Sequence, residues 1–337
     1  MRRGTRVSLP IGHRIPAVLM TCVLVVGCRT SEFLVANAPN ALARVELRLD
    51  LPYGTDPRQR LDIIAPRHGT HRPVVIFWYG GSWDEGRKAD YRFVGVALAE
   101  RGIVAVIPDY RLYPQVTFPL FDEDGARAVA WVEHHVGEYG GDPSHIVLMG
   151  HSAGGHTAAF LALNHEFLRK FGADPHSIAG LVGLSGTYVF VPDSDMLRAA
   201  FPTPYTVRDW QPIRFVDSSA PPTLLLHGLA DREVLPQEAM ELRDALKKVH
   251  VPVELELFPH RGHADTVASF AAVTRWRTPA LQDVVRFIRA VSGTAAYSCS
   301  LVHDRLQSVP ALSSWKPNRG EIANRRHYCV IIANNLL

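Results

Sequence analysis

Three side chains, far apart in the chain, have the types and settings that nucleophilic catalysis needs: Ser152, Asp231 and His263. Ser152 lies in Gly150-His151-Ser152-Ala153-Gly154-Gly155, directly after the apolar run Ile146–Met149 and before an alanine-rich stretch. Such a run, turn and small-residue segment predict a buried strand, a sharp bend and a helix start, with the hydroxyl lifted out of the sheet. A side chain at Gly150 or Gly154 would collide with the neighbouring strand or helix. A serine hydroxyl is a weak nucleophile near neutral pH. An imidazole, with an ordinary pKa of about 6.5, can take its proton and hand it on to a leaving group. A carboxylate behind the imidazole fixes its tautomer and steadies the imidazolium.

Other side chains compete for these roles. Glu233 is the runner-up acid, two residues past Asp231, and Asp265 is too close to His263 to bend back to its ring. His260 rivals His263 but precedes the turn and lacks a preceding glycine. His151, His227 and His156 are read as local structure or packing, and His134 and His135 as solvated.

The elements that must position these residues follow from periodicity. Val45–Leu49 alternates and reads as an edge strand, and Leu61–Ile64 returns beside it. Val74–Trp78, Ile103–Ile107, Ile146–Met149, Ile178–Leu184 and Thr223–Leu226 are continuous apolar runs, as strands covered on both faces require. Val253–Phe258 alternates and reads as a half-exposed outer strand. Helical spacing falls between them, at Tyr91–Arg101, Asp122–Tyr139, Thr157–Asn164, Gln237–Lys248 and Pro279–Val291. Strands alternating with helices predict an α/β class with a doubly wound, mostly parallel sheet and an antiparallel edge. Ser152, Asp231 and His263 each follow a predicted strand, so their loops gather at one end of that sheet.

Residues 186–220 break the rhythm. Pro192, Pro202, Pro204 and Pro212 are mixed there with Tyr188, Phe190, Phe201, Tyr205 and Trp210. This predicts a cap or lid over the site, with aromatic side chains shaping a substrate pocket.

Tyr79-Gly80-Gly81-Ser82-Trp83 follows the strand Val74–Trp78. Together with Gly-His-Ser-Ala-Gly-Gly it resembles the His-Gly-Gly-x-Trp loop and elbow of α/β-hydrolase carboxylesterases and lipases. That group includes kynurenine formamidase-like, feruloyl-esterase-like and isoprenylcysteine methylesterase-like proteins. The resemblance spans about residues 45–291. Glu138-Tyr139-Gly140-Gly141-Asp142-Pro143 and Gly183-Leu184-Ser185-Gly186 look closest to the methylesterase branch. It implies an α/β-hydrolase fold, a Ser-Asp-His order of catalytic residues and an oxyanion hole from the N–H groups of Gly81, Ser82 and Ala153. It also implies a carboxylic ester as the small-molecule substrate, with an arylformamidase-type amide hydrolase or a non-catalytic surface protein as alternatives. Tyr79 stands where most relatives carry histidine, which puts the support of the loop in question. His227-Gly228-x-x-Asp231-x-x-Val234 matches the acid loop. Pro108-Asp109-Tyr110-Arg111 matches a further family element, with Asp109 and Arg111 expected to pair.

Composition narrows the rest. The whole chain is net +3, but residues 1–27 hold four arginines and no acid, and residues 294–337 hold five cations against two acids, leaving the body at −4. No basic face argues for nucleic acid. Arginines before the apolar run Ile15–Val26 read as an export signal, too short for a stable membrane anchor. Val25-Val26-Gly27-Cys28 resembles a bacterial lipobox, which implies acylation of Cys28, a membrane-tethered exported protein and residues 28–44 as a tether. Cys22, Cys299 and Cys329 lie outside the body, which has no cysteine to bridge. No Cys/His spacing suggests a metal site, and nothing requires a cofactor. Residues 294–337 lose all pattern and form an appendage of unassigned role.

Overall fold

A computed structural model describes residues 28–293. The signal, the lipobox residues before Cys28, Cys22, Cys299, Cys329 and the appendage therefore fall outside the described residues. The sheet has eight strands: β1 (Val45–Pro52), β2 (Arg60–Pro66), β3 (Arg72–Trp78), β4 (Val104–Pro108), β5 (Gly141–His151), β6 (Ile178–Leu184), β7 (Thr223–Gly228) and β8 (Val253–Phe258). Their order is β1-β2-β4-β3-β5-β6-β7-β8. β1 and β2 run antiparallel, as does β2 against β4, and the remaining neighbours are parallel.

Hydrophobic patterning explains this order. β3 to β7 are buried almost throughout, because helices cover both faces. β8 alternates along its length because only one face meets the core. The helices Arg92–Ala99, Leu120–His135, Ala153–Leu163, Pro236–Lys248 and Ala280–Val291 lie near their predicted spans. Helix Ala153–Leu163 is buried on every side, consistent with its run of alanines.

Two segments differ from expectation. The tether expected over residues 28–44 is instead helix Cys28–Asn37, followed by a tight turn of helix at Ala38–Leu42. Phe33 packs on Tyr91 at 5.0 Å between ring centres. The Asn37 side chain donates to the Asp90 carbonyl at 2.7 Å and accepts from the Phe93 N–H at 3.0 Å. An aromatic ring and an amide with partners on the body outweigh the weak pattern of the sequence around them.

The stretch 186–220 forms short helices, Asp195–Ala200 and Val207–Trp210, and turns its aromatic rings inward except that of Tyr205, which is exposed. Tyr188, Phe201 and Trp210 are buried and Phe190 half-buried. Phe201 packs at 4.8 Å from Trp83, 5.4 Å from Phe121 and 5.6 Å from Phe118. Glu238 fastens the start of the excursion by accepting from the Thr187 hydroxyl and the Tyr188 and Val189 N–H groups. Rings this large are stabilised more by burial against each other than by standing in an open mouth. Tyr188, Phe201 and Trp210 join the one hydrophobic core that holds Trp83, Phe118 and Phe121, and Phe190 packs against it.

Candidate active site

β5 ends at His151, and Ser152 opens the next helix with φ +55° and ψ −124°. A non-glycine residue in that region is strained and persists only where its surroundings hold it. They do so here at close quarters. A Cβ at Gly150 would lie 2.0 Å from the Gly154 carbonyl oxygen, and one at Gly154 would lie 2.1 Å from that of Trp78. The Ser152 N–H donates to the Leu184 carbonyl at 3.1 Å, and its own carbonyl accepts from His156 N–H at 3.1 Å. The Ala153 N–H, at the first helical position, lies among those the helix cannot satisfy internally.

The loop after β7 supplies Asp231, whose carboxylate is buried. Oδ1 accepts from the N–H groups of Glu233 and Val234, each at 3.0 Å. Oδ2 faces His263 Nδ1 at 2.8 Å and His227 Nε2 at 3.2 Å. Burial alone would raise this carboxyl, but the bonds from His227 and His263, with that from Val234, hold it well below the usual range. Asp231 and His263 are thus joined as the order of the sequence implied. Glu233, the runner-up, is exposed and contributes only its N–H to Asp231.

His263 sits in the loop after β8. His151, the neighbour of Ser152, donates from Nε2 to the His263 carbonyl at 3.2 Å, and the two rings lie 4.8 Å apart. This brings the imidazole loop to the elbow. Burial, then the nearby His263, push His151 down to about 3, so it remains neutral. Asp265, expected in the loop, instead opens the short helix Asp265–Ala268. One oxygen accepts from Gly262 N–H at 2.8 Å, and the other pairs with Arg277. His260 is exposed with φ +59° and takes no part. His156 is packing, as read. It is fully buried, donates from Nε2 to the Trp210 carbonyl at 2.7 Å and lies edge-on to Trp83.

The loop Gly80–Gly86 faces Ser152 from the other side, since a Cβ at Gly80 would lie 2.8 Å from that of Ser152. Gly81, Ser82 and Trp83 all have positive φ, and the Gly81 carbonyl accepts from Asp84 and Glu85 N–H groups at 3.0 Å. The question raised by Tyr79 is answered by its surroundings. Its ring is buried in a stack between Tyr91 and Tyr110, at 5.5 and 4.9 Å. Its hydroxyl donates to Asp109 Oδ1 at 2.6 Å and accepts from Arg58 at 3.0 Å. Arg58 also donates to the Tyr110 and Gly86 carbonyls, at 2.8 and 2.9 Å. The tyrosine thus buttresses the loop through a buried network.

That network corrects the pairing read from Pro108-Asp109-Tyr110-Arg111. Asp109 does not meet Arg111. It lies 3.8 Å from Arg58, and Arg111 instead forks onto both oxygens of Asp124 at 2.8 and 2.6 Å. Neighbours in a tight turn point apart, and partners arrive from other elements. Two contributors were missed by sequence reasoning: Arg58, which has no local pattern, and His227, which was read as local structure yet touches the acid. The spacing of His227 four residues before Asp231 was a signal for the second.

No group of acids, histidines or cysteines among the described residues could hold a metal ion. A groove of about 780 Å³ lies by Tyr53, Arg111, Arg127 and Trp131, and none of Ser152, Asp231 and His263 lines it.

A mostly parallel sheet with a strained serine after β5, and an aspartate–histidine pair after β7 and the edge strand β8, defines an α/β-hydrolase arrangement. Residues 61–246 match the family model described as BD-FAE. The chain is 31% identical to the isoprenylcysteine alpha-carbonyl methylesterase of Arabidopsis thaliana, over 79% of this chain and 68% of that protein. It is 32% identical to the esterase LipC of Mycobacterium tuberculosis, over 58% of this chain and 54% of the relative. Among solved structures, esterase B from Lactobacillus rhamnosis superposes with a TM-score of 0.64 at 21% identity, covering 80% of this chain and 98% of that one. A truncated carbohydrate esterase from gut microbiota gives the same TM-score at 22% identity, covering 74% and 96%. The chain belongs to the BD-FAE family and is a carboxylic ester hydrolase of the α/β-hydrolase fold.

Proposed function

We propose that the chain cleaves carboxylic esters through an acyl-enzyme, with Ser152 as nucleophile, His263 as general base and acid, and Asp231 as the orienting carboxylate. His263 accepts the Ser152 proton as the hydroxyl attacks the ester carbonyl. The N–H groups of Gly81, Ser82 and Ala153 hold the oxyanion, each donor being worth on the order of 3 kcal/mol. The proton then passes to the departing alcohol, and water repeats the sequence on the acyl-enzyme. The observation that carries this reading is the 2.8 Å bond from His263 to Asp231, in a loop tied by His151 to the position next to Ser152. Turnover of p-nitrophenyl acetate and butyrate by the wild type and by Ser152→Ala tests it, and equal turnover by both would reject it.

The substrate is a small-molecule ester. The isoprenylcysteine ester named for the Arabidopsis relative is not carried over, because the N-terminal pattern points to export. That pattern, Ile15–Val26 followed by Val25-Val26-Gly27-Cys28, supports a lipoprotein whose acylated Cys28 tethers the enzyme to a bacterial membrane. Mass spectrometry of the membrane fraction tests this. An unmodified Cys28 in a mature chain that keeps residues 1–27 would overturn it.

A further inference from the structure

Trp276 is 73% exposed, more than any other large apolar side chain on the loops around the candidate site. Its ring lies 5.7 Å from the Arg261 guanidinium and 5.8 Å from that of Arg277. Arg277 is paired with Asp265, whose other oxygen is held by Gly262 N–H. Among the described residues no carboxylate forms an ion pair with Arg261, which is half-exposed beside the indole. The Arg261 carbonyl accepts from Ala230 N–H at 2.9 Å, which draws the loop of exposed Leu229 alongside. Val273, also exposed, precedes Trp276 on the same segment. The two loops in contact here are the ones that carry Asp231 and His263.

An indole is amphipathic and settles where hydrocarbon meets water, and guanidiniums beside it attract anionic headgroups. The body as a whole is net −4, so an anionic surface repels most of the molecule and is met favourably only at a local cationic patch. We propose that Leu229, Arg261, Val273, Trp276 and Arg277 form a docking surface for an anionic phospholipid bilayer. Docking there turns the loops of Asp231 and His263 toward the lipid.

The test uses the full chain and vesicles of phosphatidylcholine brominated in its acyl chains, with or without phosphatidylglycerol. Vesicles containing phosphatidylglycerol quench tryptophan emission of the wild type, and Trp276→Phe loses most of that quenching. Arg261→Gln weakens binding to the anionic vesicles about fivefold, and raised salt weakens it further. Both variants keep wild-type turnover of a soluble ester, since neither side chain belongs to the catalytic set. Equal quenching of wild type and Trp276→Phe overturns the proposal, as does equal affinity for vesicles with and without phosphatidylglycerol. It is also overturned if acrylamide finds Trp276 already shielded before lipid is added, because the patch is then covered by protein. Quenching does not depend on ester cleavage, so failure here is distinct from failure of the triad.

Discussion

Asp231 and Asp122 are both buried, yet their carboxyl pKa values shift in opposite directions. Asp231 lies in the loop after β7, where three N–H donors meet its two oxygens and His227 Nε2, which bonds the Val234 carbonyl, stands 3.2 Å away. Asp122 lies in helix Leu120–His135, against the helix that follows Ser152. Its Oδ1 accepts from the Thr157 hydroxyl at 2.8 Å, while Oδ2 has no partner. The nearest imidazole nitrogen, His156 Nδ1, stands 4.0 Å away. Burial pushes Asp122 up to about 7, only partly offset by Thr157 and reinforced by Asp124. Burial is thus common to the two carboxylates, and the count of donors separates them. Only the region of Asp231 is built to keep an anion behind an imidazole at neutral pH.

The largest test of that contrast is chemical. Ser152→Ala and His263→Ala should each lower kcat by about 10⁴-fold or more, and together by little more than either alone. Asp231→Asn should cost about 10⁴-fold through loss of the imidazole's orientation. Asp122→Asn should leave kcat within a small factor of wild type. A collapse of ester turnover in Asp122→Asn with the fold intact would break the comparison.

Stability against pH sharpens it. The folded pKa of Asp122 is raised above its unfolded value of 3.8 to about 7. The unfolded carboxyl therefore ionises first, and stability is lost as pH rises from about 4 to about 7, by up to about 4 kcal/mol. Asp122→Asn should remove this loss, gaining on wild type at pH 8 relative to pH 5 in urea unfolding. Asp231 has the opposite sign. Its folded pKa is depressed, so its contribution is present above the unfolded pKa and is lost as pH falls through the folded one.

Two smaller effects concern the supports. Tyr79→Phe takes a donor from half-buried Asp109 and an acceptor from Arg58, and should lower stability by about 1–3 kcal/mol. Its effect on kcat should exceed that on KM if the loop of Gly81 and Ser82 serves the transition state. His227→Gln, removing the second imidazole from Asp231, should lower kcat by about tenfold and shift the acid limb of the pH–rate profile. A pure loss of stability with an unmoved profile would make His227 structural alone.

Much of this architecture was legible in the chain because its signals are local. β6 and β8 fall on their predicted residues, since an apolar run and a clean alternation each state their own burial. Helix ends were less well marked: the helix expected over Asp122–Tyr139 runs Leu120–His135. Most rings of the stretch 188–210 are buried against one another, which hydrophobic composition alone does not state. Asp109 and Arg111 were paired because they are close in sequence, and the turn sends them to different partners.

The sequence by itself determined the strand periodicity, the elbow glycines that no larger residue could replace, and the order Ser152, Asp231, His263. Those properties are written in runs of a few residues, where sterics and burial act locally. Only the tertiary structure decided that Arg58 and Asp109 grip the hydroxyl of Tyr79 and that His227 leans on Asp231. It alone decided that Asp122 stands nearly donorless while Asp231 is surrounded. Those outcomes depend on which groups the sheet brings within about 3 Å of one another, a distance at which hydrogen bonds form and which no interval along the chain encodes.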